Sequence, residues 1–157
     1  MSLAKLKKEL KQQSKEEIIE LILDLYKKVP PAKDFLNVYT SYDTENLIEK
    51  YKKEIGRLVI PKGWEMKMNE VEARKLIRTI RKMKIDKVTI ASELHYVECC
   101  LDVVEQYGIW NEIYYVAIEK MFDEAEKRIL TNGWENEYRD YLNQLIKKAN
   151  QFGMLEY

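Results

Sequence analysis

The sequence predicts an all-α protein. Apolar residues recur at intervals of three and four along almost the whole chain, and no stretch alternates apolar and polar residues with the period of a strand. Five Gly and three Pro in 157 residues leave few places for loops. About eight helices joined by short turns follow, stacked as antiparallel hairpins into a bundle or a short solenoid-like array. A chain of this length fits a single helical domain over 1–157, burying roughly two-thirds of the surface its unfolded form exposes. Any subdivision falls at the 59–69 linker described below.

Leu3, Leu6 and Leu10 mark a first short helix, made basic by Lys5, Lys7, Lys8 and Lys11. Ser14-Lys-Glu-Glu17 is a capping box, in which the Ser14 hydroxyl accepts from the Glu17 N–H and the Glu17 carboxylate accepts from the Ser14 N–H. The helix it opens carries Ile18, Leu21, Ile22 and Leu25, and it ends near Lys28 because Pro30-Pro31 removes the donors that continuation needs. Pro31 suits the first turn of a third helix with Phe35, Leu36 and Tyr39. Asp43 or Thr44 caps a fourth, which carries Leu47, Ile48, Tyr51, Ile55 and Leu58 and leads into IPKGWEMKMNE, the linker. Asn69 and Glu72 cap a helix to about Lys84; Asp86 caps the next, which runs to Tyr107. Gly108 and Gly133, each followed at once by apolar residues, end helices in the left-handed conformation. The final two helices cover about 111–131 and 135–151.

On these residues, KLKKELKQQSKEEIIELILDLYKK resembles the opening of an uncharacterised bacterial family, a domain of unknown function. The likeness continues at HYVE and YYVAIEKMFDEA. The resemblance implies a bacterial cytoplasmic helical protein and supplies no catalytic residue. The N-terminus, MSLAKLKKELKQQ, lacks the apolar core of a signal peptide, and no run approaches the roughly 20 apolar residues of a membrane helix. A cytoplasmic location with no membrane partner is the expectation.

The only histidine and both cysteines fall in ELHYVECC, residues 93–100. At 100° per residue, Ile90, Leu94, Val97, Cys100, Leu101 and Val104 share an apolar arc, and His95 falls opposite, in an acidic stripe with Glu98 and Asp102 that faces water. A lone histidine offers no zincin pair, and position 92 is Ser where a di-iron Glu-x-x-His motif needs Glu, so no metal and no cofactor is expected. Adjacent Cys99 and Cys100 suit neither a CxxC motif nor an ordinary disulfide, and are read as reduced, partly buried thiols. Cys99 sits one turn from His95 without an evident third orienting group or oxyanion donor, which argues against a nucleophile pair. Glu93 alone projects into the apolar arc and is a candidate buried carboxylate. A cation from the preceding helix is its economical partner, and a carboxylate of raised pKa lining a cleft is the alternative.

Charge is organised in blocks. Lys plus Arg and Asp plus Glu number 27 each, so no global excess drives association with nucleic acid or an anionic membrane. Residues 74–87, RKLIRTIRKMKIDK, nevertheless hold seven cations against one anion, a net of +6. Arg74, Lys75, Arg78, Arg81 and Lys82 form a candidate basic face on that helix. Residues 93–126 hold nine acids against one base, a net of −8, and a turn at Ile85-Asp86 would fold the two blocks side by side. Pairing of the cations with carboxylates of their own chain is the favoured reading.

Two functional readings follow. The first is a non-enzymatic helical interaction module for a protein or peptide partner, with Tyr107, Trp110, Tyr114, Tyr115, Trp134, Tyr138 and Tyr141 as a candidate partner groove. Burial of the same aromatic residues as core is the competing account. The second is a nucleic-acid-binding domain using the 74–87 helix, which no groove-reading motif accompanies. No glycine-rich phosphate loop, Gly-x-Ser-x-Gly elbow or acid–base pair points to an enzyme. Homo-oligomerisation stays open.

Overall fold

A computed structural model describes residues 1–41, 44–62, 68–108 and 111–156, leaving aside the side chains of residues 38, 40 and 41. Eight helices and no strand occur among the described residues: α1 (Leu3–Lys11), α2 (Lys15–Lys28), α3 (Pro30–Ser41), α4 (Thr44–Val59), α5 (Glu70–Lys82), α6 (Asp86–Tyr107), α7 (Glu112–Asn132) and α8 (Glu135–Asn150). They form two compact units, Met1–Asp43 and Thr44–Tyr157. The helices that flank the 59–69 linker, α4 and α5, both belong to the second unit. The cap expected at Asp43 lies outside the described residues, as does the middle of that linker.

In the first unit, local chemistry sets each boundary. Ser14 Oγ accepts from Glu17 N at 3.1 Å and Glu17 Oε2 accepts from Ser14 N at 3.1 Å, so both halves of the capping box are made. Val29 is extended, the conformation a following proline favours, and α3 starts at Pro30, one residue earlier than expected. Tyr26 Oη donates to Asn37 Oδ1 at 3.1 Å, joining α2 to α3. Neither α1 nor α2 buries any of its residues.

The second unit is built around α6. Helices α4, α5, α7 and α8 all pack on it, which is why 13 of its 22 residues are buried instead of one stripe. Ile90, Leu94, Val97 and Leu101 meet the expectation for the arc, but Tyr96, Cys99 and Val103, outside it, are buried as well. A helical wheel assumes one dry side, and a central helix has several.

Helix ends in this unit follow glycine. Gly108 and Gly133 take φ of 62° and 70°. At Gly133 the glycine N–H reaches Leu130 O and the Trp134 N–H reaches Ile129 O, the paired bonds of a Schellman motif, and Trp134 packs against the core. The same pair recurs at Gly153, which turns Met154 and Leu155 back into the core. Two expected caps differ. Asn69 makes no side-chain cap bond. Ile85 holds the cap position of α6, while Asp86 is its first helical residue and accepts from Asn132 Nδ2 at 2.9 Å, tying the start of α6 to the end of α7.

Candidate functional site

The basic helix α5 lies against α6, but the acidic stripe of α6 does not face it. Glu98 accepts from Tyr141 Oη at 2.8 Å, Lys148 reaches Asp102 and, at 2.9 Å, Glu105, so α8 takes up that stripe. Lys87, at the start of α6, bonds Glu137 of α8 and stands 4.2 Å from the Trp134 ring centroid and 5.5 Å from that of Tyr138. Sequence blocks of opposite sign need not pair, because helix order in space decides which faces meet.

One carboxylate does cross to α5. The Glu93 side chain is 0% exposed and is gripped from two sides, with Arg81 Nε donating to Oε1 at 2.8 Å and Arg128 Nη2 donating to the same oxygen at 3.1 Å. Arg128 Nε adds a longer bond to Oε2 at 3.4 Å. Burial opposes the charge on Arg128, and the hydrogen bond and attraction from Glu93 more than offset it, so the guanidinium is held charged. Arg81 belongs to the preceding helix; Arg128, on α7, carried no signal that sequence reading used. Arg74 is also committed, donating to the buried Tyr96 Oη at 3.0 Å.

The remaining cations are disposed differently. Lys75 pairs with Glu72 on its own helix at 2.8 Å. Among the described residues, Arg78 and Lys82 have no carboxylate within ion-pair distance, nor does Lys120 of α7. Arg78 and Lys120 line a cleft of about 440 Å³ between α5 and α7. Arg74 and Arg81, four residues before and three after Arg78, complete one wall by helical spacing. The other wall repeats every three or four residues along α7, as Ile113, Val116, Ala117, Met121 and Glu124. Ile113 is 76% exposed and Val116 54%, large apolar side chains left in water beside free positive charge.

The aromatic residues of the C-terminal half do not line this cleft. Tyr114 is buried and donates to Cys100 O at 3.3 Å. Tyr115, Trp134, Tyr138 and Tyr141 are half-buried against the core, and Tyr107 is 40% exposed. Trp110 lies outside the described residues.

His95 corrects the sequence reading. It is not on the watered face, because α4 covers it at Gly56, where even a Cβ would sit at ordinary contact distance, 3.8 Å from His95 Nε2. Cys99 Sγ lies 3.4 Å from Nε2 and Glu98 Oε2 lies 3.5 Å from Nδ1, so the Glu98 of the expected acidic stripe stands where a third orienting group would. The chemistry runs the wrong way for a nucleophile. Burial pushes the Cys99 thiol up to about 12, reinforced by Asp102 and Glu98, and burial does the same for Cys100. Among the described residues no group of three His, Cys, Asp or Glu side chains is arranged to hold a metal ion.

Burial lowers the pKa of His95 below its ordinary 6.5; attraction to Glu98 opposes this, and repulsion from Lys52 adds to the lowering, so burial decides the direction. The unfolded chain therefore binds the proton more readily than the folded one. The contribution of neutral His95 to stability is complete above pH 6.5 and is lost as pH falls from there toward the folded pKa. Denaturation midpoints should drop over that window in the native protein, and His95→Gln should flatten the dependence; an unchanged slope would place the histidine in water.

A family model described as a family of unknown function (DUF6155) matches residues 1–153. The chain belongs to that family. The DUF6155 match spans all eight helices, so both compact units and the α5–α7 cleft fall within it. No curated protein and no solved structure matches the chain. No helix among the described residues is long and apolar enough to cross a membrane.

Proposed function

We propose that this DUF6155 protein is a non-enzymatic helical interaction module of the bacterial cytoplasm, and that its cleft between α5 and α7 receives an acidic amphipathic peptide segment of a partner protein. The observation that carries this reading is the pairing of two cations without carboxylate partners, Arg78 and Lys120, with the exposed Ile113 and Val116 in one cleft. A helix with acids on one edge and leucines on its face would bury those apolar side chains while its carboxylates met both cations. A nucleic-acid backbone uses the cations and leaves the apolar wall unsatisfied. One of the three cleft arginines, Arg81, is already paired with the Glu93 carboxylate, which lowers the charge a phosphate chain would find.

Fluorescence anisotropy with a designed acidic Leu/Glu helical peptide, a charge-neutral version of it and single- and double-stranded oligonucleotides tests the reading. The acidic peptide should bind and the neutral one bind at least tenfold more weakly, while Arg78→Glu or Lys120→Glu abolishes the difference with stability unchanged to within about 0.5 kcal/mol. Oligonucleotide binding that falls steeply with salt and is lost in Arg78→Glu, without peptide binding, would replace this reading with the nucleic-acid one.

A further inference from the structure

The three arginines on the α5 wall of the cleft are held in three different ways. Arg81 is bonded to the Glu93 carboxylate, which cancels its charge. Arg78 has neither a hydrogen bond nor an ion pair among the described residues, so its long side chain is unheld. Arg74 is fixed by a neutral group: its Nη1 donates inward to Tyr96 Oη at 3.0 Å, and Tyr96 is 0% exposed. Burial pushes the Tyr96 hydroxyl well above its ordinary 10, so it stays protonated and cancels no charge. No carboxylate among the described residues lies within ion-pair distance of Arg74, and Glu70, one turn earlier on α5, draws on it only from further away.

Arg74 therefore combines a full charge with a set orientation, and only one N–H of its guanidinium fork is used. A carboxylate takes such a fork through two parallel hydrogen bonds, provided the plane is correctly turned. Arg78 and Lys120 must lose side-chain freedom to meet a ligand, whereas Arg74 has lost it on folding. Its place along the cleft is also set. Tyr96 of α6 takes Arg74, and one turn on Cys100 O accepts from Tyr114, so Arg74 lies at the same end as the exposed Ile113 and Val116, while Arg81 and Met121 meet at the other. We infer, resting on the peptide reading above, that Arg74 is the specificity-determining residue of the cleft, taking a partner carboxylate in a two-bond fork beside Ile113 and Val116, and that Tyr96 is its positioning residue. The partner segment accordingly carries that carboxylate within about a turn of its apolar side chains.

Substitutions that keep the charge test this, by anisotropy titration with the acidic Leu/Glu peptide and its neutral version. Arg74→Lys retains the cation but loses the fork and the bond to Tyr96, and should weaken the acidic peptide about tenfold. Arg78→Lys, at a position that nothing orients, should cost only about twofold. Tyr96→Phe keeps the buried ring and should cost about fivefold, chiefly through faster dissociation. The double variant Tyr96→Phe/Arg74→Lys should cost no more than Arg74→Lys alone, because both act through one link. Affinity for the neutral peptide should move less than about twofold in every variant, which a merely structural defect would not allow. Should Tyr96→Phe lose its fold by circular dichroism, the contrast between lysine at 74 and at 78 decides. Equal losses at those two positions, with the acidic peptide still bound by the native protein, would overturn the inference and leave the peptide reading standing. Losses that multiply in the double variant would remove Tyr96 from the positioning role. A native protein that binds neither peptide would overturn both the inference and the reading beneath it.

Discussion

Glu93→Ala should cost the protein about 3–5 kcal/mol, the typical effect of removing one partner from a buried ion pair. The carboxylate is wholly inside and both of its partners, Arg81 and Arg128, are about three-quarters buried, at 28% and 25% exposure. Without Glu93 two guanidiniums from different helices face each other across a cavity, each short of its acceptor, and α5 and α7 lose the group that ties both to α6. Thermal unfolding should move down by roughly 10–20 °C for a domain of this size. The combination Arg81→Met, Glu93→Leu and Arg128→Leu should recover most of the loss, since apolar side chains of similar volume replace a buried charge cluster without desolvating ions. A penalty below about 1 kcal/mol for Glu93→Ala would mean the arginines are hydrated independently of it.

Both cysteines should resist thiol reagents in the folded protein. Their thiols sit near 12 where an ordinary cysteine sits at 9, so at pH 8 the thiolate fraction falls about a thousandfold, before access is counted. Cys99 is 5% exposed and Cys100 is closed to solvent. Labelling at pH 8 should therefore proceed about 1000-fold more slowly than in denaturant, with the two cysteines exposed together on unfolding. Faster labelling of Cys99 than of an unfolded cysteine would show that His95 and Glu98 activate it, and would reopen the case for covalent chemistry at a site whose spatial arrangement alone is suggestive.

What the sequence determined by itself is local, because the chemistry that starts and stops a helix acts over four or five residues. Ser14 with Glu17, the two prolines after Val29, and the glycines at 108 and 133 each settle a boundary through bonds to their immediate neighbours. The spacing of Arg74, Arg78 and Arg81 was legible for the same reason, as was the position of Glu93 in an apolar arc. Tertiary structure alone decided which faces meet. The wheel put His95 in water because it cannot know that α4 crosses there on Gly56. The net charges of two adjoining blocks suggested that α5 and α6 neutralise each other, yet the α6 stripe is met by Tyr141 and Lys148, some 40 residues further on. Arg128 and the Ile113–Glu124 wall of the cleft were illegible on the same ground. Contacts between residues far apart in the chain depend on the order in which helices pack around α6, and periodicity records only that a face is apolar, not what lies against it.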